Sequence, residues 1–219
     1  MEVWNYVNGH WITIGSWTLD HLWLIFVSNS LAVFIGVSLG IFIAGKGREE
    51  VADTVLYLAG IMMTIPSLAL FGLLMPLLTA LNLPSIGFLP AVIALILYGQ
   101  LPILRNTYTA IREVDPAMIE AGRGMGMTPR QILFKIKLPL AVPIIMAGLR
   151  NAVVINIGIA TIAVFIGARG LGVPIFRGLR TSRMDMIITG AIFVSILALL
   201  ADGLLALAEK LFTPEGLKK

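Results

Sequence analysis

Residues 120–139 read EAGRGMGMTPRQILFKIKLP, a polar, glycine-rich and basic stretch between long apolar runs of a chain that is 58% hydrophobic. A segment of that polarity between runs long enough to span a bilayer has to lie outside it, where it forms a surface for contact. Its local grammar is a helix, a turn and a second helix. Asp115 is placed to N-cap a helix with Pro116 at its first position; Gly122, Gly124 and Gly126 punctuate; Thr128 restarts the helix with Pro129 behind it. Thr128 and Gln131 have the spacing of a capping box, which specifies the second start.

Working outward, the flanks are those of a membrane protein. A mean hydropathy of +0.94 with only 13% charged residues is too apolar for an ordinary soluble domain. Runs of about 20 apolar residues occur at 19–44, 54–78, 89–108, 138–165 and 186–208. They predict an all-α integral membrane fold of about five transmembrane helices in one bundle, 1–219, with no soluble second domain and no internal repeat. Residues 1–18 are expected as an outer interfacial segment, 19–210 as the membrane core and 115–139 as a cytoplasmic loop. The first residues lack the basic start of a cleavable signal peptide, so the first run reads as a retained span. The chain has no cysteine, which excludes disulfides, thiolate metal sites and a cysteine nucleophile, and His10 and His21 are too few for a histidine metal site.

Orientation follows from Lys and Arg in the loops. With the C-terminus inside, Lys46, Arg48, Arg105, Arg112, Arg123, Arg130, Lys135, Lys137, Lys210, Lys218 and Lys219 fall on the cytoplasmic side. The outer side receives only Arg169, Arg177, Arg180 and Arg183. An N-out, C-in topology is therefore expected, and the net charge of +4 reads as topology and attraction to anionic lipid, not as nucleic-acid binding.

Polar groups inside the spans carry further information, because a charge at mid-membrane costs about 2.5–3.5 kcal/mol on insertion scales. Arg150 lies roughly 18 Å along the helix from Leu138 at 1.5 Å per residue. It either faces a cavity or the bundle with a partner such as Asp202, or snorkels to the interface. Asn151, Asn156, Thr161 and Gln100 either line a translocation path with it or hydrogen-bond helices together. Pro66, Pro76, Pro102 and Pro143 predict kinks. Trp4, Trp11, Trp17 and Trp23 cluster at one end of the first span, as an interfacial belt or, if the rings converge, a cation-π cage. Two catalytic look-alikes occur nearby. GIFIAGKG, 40–47, lacks the Ser or Thr a phosphate loop needs, and Gly36-Val-Ser38-Leu-Gly40 has no strand-to-helix elbow. Gly36, Gly40 and Ala44 instead form a small-residue face for close helix packing.

Glu120-Ala121-Gly122, then Gly126, then Ile136-x-Leu138-Pro139 resembles, at matching spacing, the Glu-Ala-Ala…Gly…Ile-x-Leu-Pro loop by which bacterial ABC importer permeases dock into their ATPase; Gly122 stands where such permeases usually carry Ala. Thr18-Leu-Asp20-His21-Leu22, Ile65-Pro66-Ser67-Leu68-Ala69-Leu70, Tyr98 with Leu101-Pro102-Ile103-Leu104-Arg105-Asn106-Thr107, Ala121 to Met127, and Gly167-Ala168-Arg169-Gly170-Leu171-Gly172 extend it over roughly residues 18–210, to permeases of osmoprotectant importers. Arg169 stands where that family commonly has Gly. The resemblance implies a type I ABC importer permease, in a bacterial inner membrane, for glycine betaine, carnitine, choline or a related quaternary amine. A permease for another small solute, such as methionine, taurine or an amino acid, is the alternative. It further implies a cytoplasmic ATPase subunit that holds ATP and magnesium, an extracytoplasmic binding protein and a second permease copy or paralogue. The chain itself then binds no cofactor and does no chemistry. Glu120 is the implied polar anchor to the ATPase, Ala121 and Gly122 share its docking surface, Gly126 permits the turn, and Ile136, Leu138 and Pro139 fix the loop to the next span. An ion channel would need a charged ring and a secondary transporter inverted repeats with intramembrane carboxylates, of which only Asp202 is a candidate.

Overall fold

A computed structural model describes residues 2–213, all of whose regular structure is helical. Met1 and residues 214–219, including Lys218 and Lys219 of the topology argument, lie outside the described residues. Four helices are long and apolar enough to cross a membrane, and a bent helix pair makes a fifth crossing if taken as one span.

The first helix, α1 (Glu2–Ile43), is continuous through the boundary expected at residue 18. No proline interrupts it, but it kinks at His10, and the part beyond the kink, 11–43, extends roughly 50 Å at about 1.5 Å per residue, well over the depth of a hydrocarbon core. Its one irregularity is His10, at φ −132° and ψ 17°. Within the segment expected at the outer interface, Tyr6, Ile14 and Trp17 pack into the core. Trp4, Trp11 and Trp23 stay exposed. Trp11 and Trp23 stand roughly 18 Å apart along the helix and Trp4 lies on the other side of the His10 kink, so these rings do not converge into a cage.

The run expected as one span, 54–78, is broken. α2 (Glu49–Thr64) and α3 (Ser67–Ala80) meet at 104°. The proline ring of Pro66 excludes Ile65 from helical geometry, and Ile65 is extended at φ −69°, ψ 126°. The Tyr98 hydroxyl donates to the Ile65 carbonyl that the break releases. Pro76, Pro102 and Pro143, expected to kink, lie inside helices that continue through them.

α4 (Phe88–Arg112) is the central helix, packed between α1 and α7 (Leu138–Ala160). The small-residue face of α1 allows this. A Cβ at Gly36 would stand 2.6 Å from Ile103 Cγ2 and one at Gly40 2.7 Å from Thr107 Cβ, so only hydrogen fits there. Ala44 continues the seam against Ala110, Ile111 and Ala141. The two catalytic look-alikes are thus the packing face and the turn that ends α1.

Between α4 and α7 come α5 (Pro116–Gly124), α6 (Pro129–Ile132) and a π-helical turn (Leu133–Lys137) that runs directly into α7. The run expected to reach residue 165 leaves α-geometry at Ala160 and continues as a 3₁₀ turn (Ile162–Ile166). A loop then leads to α8 (Gly172–Thr181) and α9 (Met184–Phe212), which pack on one another.

Candidate functional site

The 115–139 loop folds as its capping residues require. The Asp115 side chain accepts from the Ala117 amide at 2.8 Å. The Gln131 amide donates to Thr128 Oγ1 at 3.3 Å and the Thr128 amide to Gln131 Oε1 at 2.8 Å, completing the capping box. α5 ends on Gly126 at φ +77°, where the Met127 amide donates to the Gly122 carbonyl (3.0 Å) and the Gly126 amide to that of Arg123 (2.9 Å). These two bonds form a Schellman termination, which needs a left-handed residue at that position. Gly122 is buried, and a Cβ there would come within 2.7 Å of Ile136 Cδ1 and 3.3 Å of Met127 Sδ. Its bare backbone is therefore the contact through which α5 rests on the π turn. Leu138 packs against the Ala44 and Ala110 cluster, and Pro139 sits in the first turn of α7. Glu120 and Ala121 are exposed on the other side, and among the described residues Glu120 forms no ion pair.

The candidate path residues separate into three places. Arg150 holds Asp202 in a fork, Nε to Oδ1 and Nη2 to Oδ2 each at 2.9 Å, and reaches Glu209 through Nη1 at 3.1 Å. This links α7 to two turns of α9, with each side chain about a third exposed (31%, 40% and 26%). Asn151 lies beside it, in a cleft of about 430 Å³ that Arg150, Asp202 and Leu199 also line. Asn156 faces the other way. Fully buried, it donates to Asn29 Oδ1 at 2.9 Å and to the Leu95 carbonyl at 3.0 Å, tying α7 to α1 and α4. Gln100 donates to the Ala32 and Ile96 carbonyls at 3.2 and 3.3 Å in the same interior. Thr161 donates to the Gly158 carbonyl at the end of α7. Arg150 and Asn151 are brought together; Asn156 and Gln100 tie helices together elsewhere, and Thr161 bonds within its own turn.

Residue patterns missed one buried polar junction. His21 is fully buried on α1. Its Nδ1 accepts from the Leu171 amide at 3.3 Å, so the ring proton sits on Nε2 and donates to the Ile157 carbonyl at 3.2 Å. Gly170 lies against it at φ +149°, with space for a Cβ only 2.9 Å from Nδ1. Arg169 Nε pairs with Asp20 at 3.2 Å. The loop before α8 is thereby stitched to α1; the only sequence signal was the pair of motifs at 18–22 and 167–172, which gave no hint that they touch. Among the described residues no three His, Asp or Glu side chains could hold a metal ion together.

Residues 36–213 match the family described as binding-protein-dependent transport system inner membrane component. The chain belongs to that family. It is a multi-pass membrane permease component. The osmoprotectant import permease protein OsmW of Salmonella typhimurium is 44% identical over 94% of this chain and 94% of its own length. The choline transport system permease protein OpuBB of Bacillus subtilis is 42% identical over 92% of this chain and 89% of its own. Among solved structures, a chain of the MetNI methionine ABC transporter in inward-facing conformations superposes with a TM-score of 0.78 at 25% identity, covering 96% of this chain and 97% of that one. The fold is that of a type I ABC importer permease.

Proposed function

We propose that this permease is the membrane-spanning subunit of an ATP-driven importer for osmoprotectants: glycine betaine, carnitine, choline or a related quaternary amine. The observation that carries the substrate class is the near full-length identity, 44% and 42%, to permeases named for osmoprotectant and choline transport. Two copies, or this chain and a paralogue, enclose the path. An extracytoplasmic binding protein delivers the solute, and a pair of cytoplasmic ATPase subunits holds ATP and magnesium. The N-terminus is outside and the C-terminus inside, as the asymmetry of Lys and Arg favours.

In the cycle, ATP closes the ATPase pair, which draws the two 115–139 loops together. Exposed Glu120 is the polar anchor and Ala121 keeps the docking face shallow. Gly122 and Ile136 pass the displacement to the π turn, and Leu138 and Pro139 pass it to α7, because that turn runs without a break into the helix. The spans then swing from inward-open to outward-open. This chain supplies the path and the lever, and the ATPase partner supplies hydrolysis.

The test is uptake of labelled glycine betaine, carnitine, choline, methionine and taurine in cells lacking their own importers and given this permease with its ATPase and binding protein. Uptake confined to the quaternary amines is expected. Uptake confined to methionine or taurine overturns the substrate class.

A further inference from the structure

The 115–139 loop does not lie flat on the bundle. Between α5 and α6 on one side and the ends of α1 and α4 on the other is a cavity of about 620 Å³. Four cations line it: Lys46 just beyond α1, Arg112 closing α4, Arg123 in the last turn of α5 and Lys137 closing the π turn. The charges of Arg112, Lys46 and Arg123 all bear on the Lys137 ammonium. Among the described residues no carboxylate lines the cavity, and only Arg112 of the four is ion-paired, with Glu49 at 3.0 Å. Ile41 and Ile132 are part of an apolar wall.

Like charges gathered round one cavity repel each other, and the repulsion grows as water is excluded. An anion that also carries an apolar tail satisfies both halves of such a site. The level of the cavity narrows the choice further. It sits where the apolar runs of α1 and α4 end and just ahead of Leu138, where that of α7 begins, which is headgroup depth for helices that span. We propose that this cavity is a binding site for an anionic phospholipid, its phosphate held by Lys46, Arg123 and Lys137 and an acyl chain lying along Ile41 and Ile132. A small inorganic anion makes no use of the apolar wall, and one acidic side chain from a docked protein balances only part of the charge. The assignment rests on the reading of this bundle end as the one facing the cytoplasmic leaflet.

The permease, purified with its ATPase, is placed in phosphatidylcholine nanodiscs containing phosphatidylglycerol, washed in detergent and examined by native mass spectrometry for retained lipid. The wild type retains phosphatidylglycerol. Lys46→Gln with Lys137→Gln retains it about thirtyfold more weakly, equivalent to about 2 kcal/mol for two basic side chains. Lys135→Gln, an exposed cation of the same turn outside the cavity, retains it like wild type. Lys46→Arg with Lys137→Arg keeps the charge and the lipid, and Lys46→Gln alone gives a smaller loss should the double variant fold poorly. Equal retention by the double Gln variant overturns the proposal. So does displacement of the lipid by inorganic phosphate, which marks a free-anion site, or loss of the ATPase with lipid retention unchanged, which marks a protein contact. Because lipid is read directly, failure of the docking role of Glu120 leaves this result standing, and the reverse also holds.

Discussion

Two glycines of α7, Gly148 and Gly158, set packing against helix propensity within one element. A Cβ built on Gly148 stands 2.6 Å from Asn106 Cβ and 2.7 Å from the Pro102 carbonyl oxygen of α4, whereas one on Gly158 meets nothing within 4 Å. Carbon atoms prefer about 3.5–4.0 Å, so Gly148→Ala must part α4 and α7 by about 1 Å. Neither obstacle is the tip of a flexible chain that can swing aside. Both substitutions gain about 1 kcal/mol of helix propensity, but Gly148→Ala also incurs overpacking of about 1–3 kcal/mol. Gly158→Ala is therefore stabilising, and Gly148→Ala falls below it by about 2 kcal/mol in the middle of that range. At about 2–4 °C per kcal/mol for a chain of this size, the two variants should melt roughly 4–8 °C apart. Thermal melting of the detergent-purified complex, followed by size-exclusion chromatography, reads the difference. Arg150 follows Gly148 by two residues, on the opposite face of α7, so the displacement also disturbs its fork with Asp202 and its contact with Glu209. Uptake should fall with Gly148→Ala and not with Gly158→Ala. If the two variants melt together, or Gly148→Ala melts above wild type, the close crossing of α4 and α7 is not what the side-chain geometry implies.

Glu120→Lys should leave the permease inserted but uncoupled, because reversing the exposed charge replaces attraction by repulsion; copurification with the ATPase and normal binding-protein-stimulated ATP hydrolysis would refute its anchoring role. Arg150→Ala leaves Asp202 and Glu209 without their shared cation, so transport and melting temperature should drop together. Arg150→Lys should rescue only in part, since an ammonium cannot hold a carboxylate in a fork, and adding Asp202→Ala to Arg150→Ala should recover stability over the single variant if the pair is coupled. A cysteine at Ser85 should react with an impermeant reagent in intact cells and one at Thr128 only after permeabilisation; equal labelling of both would overturn the N-out assignment.

Features set by neighbours along the chain were open to reading before any fold was known. Apolar length located the spans, and Asp115, Thr128 with Gln131, and Gly126 marked the turns of the loop, because capping and termination involve residues only a few positions apart. The spacing of Gly36, Gly40 and Ala44 announced a close-packed face without naming the helix it meets. Pro66 was a known interruption, but that it turns the chain through 104° while Pro102 and Pro143 do not depends on tertiary partners. At Ile65 the released carbonyl is taken by Tyr98, from a different helix. The polar residues were likewise visible as types, and the charge of Arg150 pointed to Asp202, yet Glu209 joined it only because α9 presents two turns of one face. Asn156 turned inward to Asn29, away from Asn151 on the same helix, and His21 met Leu171 across 150 positions of sequence. A side chain's type and its place on a helix are local properties; which neighbour that place faces depends on how whole helices cross, and crossing is decided by close packing between segments far apart in the chain.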